Sequence, residues 1–96
     1  MTIIPAKKAV ESAIFYFADI LAPEDIRLEE VELSDDEQYW LVTLSALVPA
    51  KQVAAHNALA EVFKKSHERI YKLFKVSAKS GEVKSMKIRE VEHIDG

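Results

Sequence analysis

No cysteine occurs in these 96 residues. That excludes a disulfide framework, a thiolate metal site and a cysteine nucleophile. Glycine is nearly absent as well, with Gly81 and the final Gly96 the only two. Their positions, 81 and 96, fit no P-loop, G-x-S-x-G elbow or G-x-G-x-x-G fingerprint. No apolar run approaches the roughly 20 residues of a membrane-spanning helix. The N-terminal stretch MTIIPAKK has no apolar core with a small-residue cleavage site, so a signal peptide is not expected and a cytoplasmic location is.

What is present is ordinary for a folded domain: 49% hydrophobic and 30% charged residues. The length suits one domain over 1–96. The net charge of −3 is unevenly spread. Residues 1–37 hold ten acids and three bases, a net of −7, whereas residues 38–96 hold ten bases and six acids, a net of +4. Either the two halves offer faces of opposite sign to partners, or they lie together and neutralise each other.

Hydrophobic spacing predicts the elements. Pro5 suits a first helical position, and Ala6, Val10, Ala13, Ile14, Phe17 and Leu21 form one apolar stripe over 5–21. Pro23 ends that helix. Phe15 falls on the opposite, polar side, either as a partner contact or as a ring folded over a neighbour. Residues 26–33 alternate as a strand whose parity slips, so a bulge near Glu29 and Glu30 is needed to gather Ile26, Leu28, Val31 and Leu33 on one face. Ser34–Glu37 reads as a turn.

Residues 38–48 form the strongest strand, with Trp40, Val42, Leu44 and Ala46 on one face. Tyr39, Leu41, Thr43, Ser45 and Leu47 make the other, which is apolar enough to need cover from the next helix or a second subunit. That next helix is expected over about 49–67, opened by Pro49 and rich in alanine.

A hairpin from Arg69 to Val91 comes next. Its turn is Ala78-Lys79-Ser80-Gly81, with Gly81 at a positive φ as in a type I turn with a G1 bulge. Ile70, Phe74 and Val76 share one face of its first strand, and Tyr71 and Leu73 the other. In its second strand Met86 and Ile88 are expected to be buried, and Lys84, Lys87 and Arg89 solvated. A slip is allowed at either end because of Val83 and Val91. The expected fold is α+β: an N-terminal helix on a four-stranded antiparallel meander, with a second helix between strands 2 and 3.

The run Phe74-Lys75-Val76-Ser77-Ala78-Lys79-Ser80-Gly81-Glu82-Val83 resembles the closing motif of PepSY-type, cystatin-like domains. Ser80 stands at the motif's threonine and Gly81 at its glycine. Glu82 and Val83 match the two residues after that glycine, while Ser77 replaces the usual aspartate. Short bacterial proteins with a similar ending share the likeness. The resemblance implies a non-catalytic module that binds or inhibits proteins. The helix over 49–68 departs from that layout as an insertion.

Motifs for chemistry are lacking. His56, His67 and His93 have no helical histidine partner, so no metal site, cofactor or catalytic residue is assigned. Asp35-Asp36-Glu37 lacks calcium-loop spacing. The expected function is a protein-interaction module, not an enzyme, that associates with itself as a homodimer through Phe15, Tyr39, Leu41, Tyr71 and Leu73. One alternative is a small-ligand binder or enzyme with a pocket near Tyr71, His67 or Trp40. Another is single-stranded nucleic-acid binding by Lys72, Lys75, Lys79, Lys84, Lys87 and Arg89 with Tyr71 as a stacking ring, against which the pI near 5.6 argues.

Overall fold

A computed structural model describes residues 2–49 and 67–90. Helix α1 (Ala6–Leu21) is followed by strands β1 (Glu24–Leu33), β2 (Tyr39–Pro49), β3 (His67–Ser77) and β4 (Val83–Ile88). The strands form one antiparallel sheet in sequence order, a meander. The expected α+β architecture of a helix on a four-stranded antiparallel sheet is what the chain adopts.

The described residues contain one helix. The second helix expected between strands 2 and 3 is contradicted at both of its expected ends, where Pro49 closes β2 and His67 and Glu68 open β3. These three stand in the ladder, Pro49 opposite His67 and Val48 opposite Glu68, and a backbone extended in a ladder cannot also be helical. The rest of that segment, 50–66, lies outside the described residues.

Pro5 is the N-cap of α1, one position earlier than expected, in an extended conformation (φ −66°, ψ 152°). It has no N–H to lose, and its carbonyl accepts from Lys8 and Ala9. At the other end Ala22 turns left-handed (φ 45°), and its N–H donates to the Ala18 carbonyl. The buried seam is Ala9, Ala13 and Phe17, spaced by four. Two alanines in that line let the helix lie close to β2 and β3. Val10 and Ile14 flank the seam, whereas Leu21, expected within it, is exposed.

The core is that seam packed on Val42, Leu44, Ala46, Phe74 and Val76. Phe17 and Phe74 are fully buried with ring centroids 5.3 Å apart, and Tyr16 meets Phe74 edge-on at 6.3 Å. Each buried ring contributes roughly 2–3 kcal/mol by area. Trp40 packs against the same core, and its Nε1–H donates to the Ile4 carbonyl at 3.0 Å, which ties down the segment before the helix.

Besides an irregularity between Glu24 and Arg27, two bulges set which side chains reach α1. One lies between Leu28 and Glu30, as the parity slip requires, and brings Val31 opposite Val42 and Leu33 opposite Trp40. The other is at Lys84, where Val76 pairs with Val83 while Lys75 pairs with Ser85. Val83 thereby joins the core side. Met86 packs there too, but Ile88, expected to be buried, is 76% exposed because β4 runs past the helix at this end. Gly81 has φ 80°, as expected. Its N–H donates to the Ser77 carbonyl at 2.9 Å, and Ser77 N–H donates to Glu82, so the loop is one residue longer than the G1 arrangement.

Candidate functional site

The meander buries one sheet face under α1 and leaves the other without a described element over it. On that open face Leu41 lies opposite Lys75, Thr43 opposite Leu73, Ser45 opposite Tyr71 and Tyr39 opposite Ser77. Four of the five residues expected to form an interaction surface, Tyr39, Leu41, Tyr71 and Leu73, are thus brought together, each half-buried. Lys75 Nζ stands 4.5 Å from the Tyr39 ring centroid. Phe15 is not with them. It projects from the outer flank of α1, 77% exposed, beside a shallow groove formed with Ser12, Tyr16, Asp19, the loop residues Gly81 and Glu82, and Val83 at the start of β4. The five residues therefore occupy two opposite sides of the protein.

Across the lower half of the open face runs a polar network that no motif or spacing announced. Ser45 Oγ donates to Glu29 Oε2 at 2.6 Å and accepts from Arg69 Nη1 at 2.9 Å. Arg69 also pairs with the Asp25 carboxylate, which Arg27 reaches at 2.8 Å. Arg89 donates to Thr43 Oγ1 at 3.1 Å and pairs with Glu30 at 3.1 Å. His67 Nε2 lies 3.2 Å from Glu24. The hydrogen bond from Arg69, aided by Arg27 and opposed by burial, holds the Asp25 carboxyl below the usual carboxylate range. Thr43 and Ser45 are 3% and 0% exposed, so the guanidinium donors keep two buried hydroxyls satisfied. The one available signal was the polar Thr43 and Ser45 in the otherwise apolar β2. At Arg69–Asp25 and Arg89–Glu30 the acidic first part of the chain and the basic remainder neutralise each other.

The basic residues weighed for nucleic acid do not share a surface. Lys75, Lys87 and Arg89 follow the open-face register, Lys72 lies opposite Leu44 on the helix side, Lys79 is in the loop and Lys84 pairs with Glu82 at 3.3 Å. Trp40 and His67 likewise lie on different sides of the sheet, and neither lines the recess that Tyr71 borders. His56 and His93 lie outside the described residues. Among the described residues no group of three or more His, Asp or Glu stands ready to hold a metal ion, and no helix is long and apolar enough to cross a membrane.

A recess of about 450 Å³ opens where α1 ends over the sheet. Leu21, Val48, Ile70 and Ile88 supply apolar walls, and Lys72 lies among them. Ile20 beside it is 52% exposed. Of the residues expected from the sequence to line a pocket, Tyr71 borders it, whereas its position depends on where the helix stops relative to the strands. Compared with protein-family models, curated proteins and solved structures, the chain matches none.

Proposed function

We propose that this protein is a non-catalytic interaction module that binds a protein partner, in its simplest form a second copy of itself, and acts in the cytoplasm. The observation that supports this reading is the half-apolar sheet face of Tyr39, Leu41, Tyr71 and Leu73 opposite α1. Sheets bury such faces by packing on another layer. The PepSY-like run Phe74–Val83 points to the same kind of role. Sedimentation velocity over a concentration series tests it. The expected result is reversible dimerisation that Leu41→Lys and Leu73→Lys abolish without loss of folded signal. A wild-type chain that stays monomeric at its highest soluble concentration overturns the self-association.

A second reading, binding of a small molecule between helix and sheet, is favoured by the recess under Leu21. Its volume of about 450 Å³ falls within the range of small-ligand sites, which are mostly apolar with a few placed polar groups. Methyl-resonance shifts of Leu21, Val48, Ile70 and Ile88 on addition of small apolar probes test this reading separately from the first.

A further inference from the structure

We infer that the recess at the C-terminal end of α1 takes an amphiphilic carboxylic acid, its hydrocarbon tail against Leu21, Val48, Ile70 and Ile88 and its carboxylate on Lys72. This inference rests on the second reading above and names its ligand class.

Lys72 is out of place in its row. Its neighbours across the two flanking strands are Leu44 and Ile88, and the residues two steps away on its own strand face are Ile70 and Phe74. A leucine there would extend the core. Instead an ammonium group on a four-carbon stem is half-buried in the recess wall. No acidic side chain forms an ion pair with it among the described residues. A cation held against apolar groups is stabilised by an anion brought to it.

The other charged residues of the recess do not compete for that role. Arg69 spends its guanidinium on Asp25 and Ser45, and Arg89 on Glu30 and Thr43, both on the opposite face. Glu68 also borders the recess. It is four residues from Lys72 along an extended strand, about 13 Å away. An anionic head therefore sits at the Lys72 end and the tail runs past Ile70 and Val48. Leu21, Val48, Ile70 and Ile88 make the walls beside Lys72 apolar, while Arg69, Tyr71 and Arg89, which also border the recess, follow the open-face register, and this suits a hydrocarbon chain better than a sugar or a nucleotide.

The test uses the full chain with decanoate and 1-decanol, each below its micelle or solubility limit, read by methyl chemical shifts and titration calorimetry. Decanoate is expected to shift Leu21, Ile70 and Ile88. Lys72→Met is expected to weaken decanoate about tenfold or more while leaving decanol within about twofold, since one charge-assisted contact is removed and the walls are kept. Lys72→Arg restores decanoate binding. If decanoate and decanol bind alike and Lys72→Met changes neither, the acid assignment is overturned while the ligand reading stands. If neither probe moves those methyls, both are overturned.

Discussion

Arg89 Nη2 stands 3.1 Å from Glu30 Oε1, so a side chain just beyond β4 meets one from β1, the strand at the other edge of the sheet. The guanidinium crosses the open face and stops on the way at Thr43 Oγ1. Arg89→Gln removes the pair and weakens the donor to a buried hydroxyl. Because the two side chains are 40% and 51% exposed, screening keeps the pair near 0.5–1 kcal/mol. Urea denaturation of Arg89→Gln, Glu30→Gln and the double variant should give a coupling of that size that shrinks as salt rises.

Acid should loosen the β1 end of the sheet first. Arg69 and Arg27 lower the Asp25 carboxyl, and the Ser34 hydroxyl with the Gln38 N–H lowers Asp36. A group depressed in the folded state contributes stability above its unfolded value and loses it as pH falls through the folded one. The urea midpoint should therefore be flat above about pH 5 and fall below it. Asp25→Asn and Asp36→Asn should each flatten that fall. An unchanged acid limb in both variants would refute the assignment.

Two left-handed positions predict opposite outcomes. Ala22 caps α1 at φ 45°, where an L side chain is strained, so Ala22→Gly should stabilise by about 0.5–1 kcal/mol. Gly81 has φ 80°, and a Cβ there would stand 3.4 Å from Ile4 Cδ1, so Gly81→Ala should destabilise by about 1–2 kcal/mol. Thermal melts of both variants check the signs.

Phe15 and Phe17 are two residues apart and should behave as opposites. Phe17→Ala opens a cavity against Phe74 and should cost about 3–5 kcal/mol, enough to unfold a marginal domain. Phe15→Ser, at a ring 77% exposed, should stay within about 0.5 kcal/mol of wild type. Chemical denaturation distinguishes them directly.

Local pattern carried much of the fold. The stop of α1 before Pro23, the face of Trp40, Val42, Leu44 and Ala46, the bulge at Glu29 and the positive φ of Gly81 are all legible as periodicity or turn chemistry. Those rules act over a few residues, so one chain suffices to read them. The exposure of Ile88, the seam through Ala9 and the strand character of Pro49 were not legible. Each depends on which distant element lies opposite. Of the five surface residues, parity correctly grouped Tyr39, Leu41, Tyr71 and Leu73. It could not separate Phe15, because spacing within α1 gives its face but not the side of the sheet on which that face ends.

The order of charges along the chain was likewise visible from the start, an acidic beginning and a basic remainder. Its consequence was not. Asp25 and Arg69 are 44 residues apart, and Glu30 and Arg89 are farther still. Only the meander, by laying the strands side by side in the order β1, β2, β3, β4 so that long side chains reach across one face, puts those charges within reach of one another. Side-chain type and spacing thus determined α1 and the four strands and which way most of their faces turn, but not the second helix expected from about residue 49. Strand pairing, a matter of long-range register and of how far the helix extends over the sheet, decided which charges cancel and where an apolar opening with a single lysine remains.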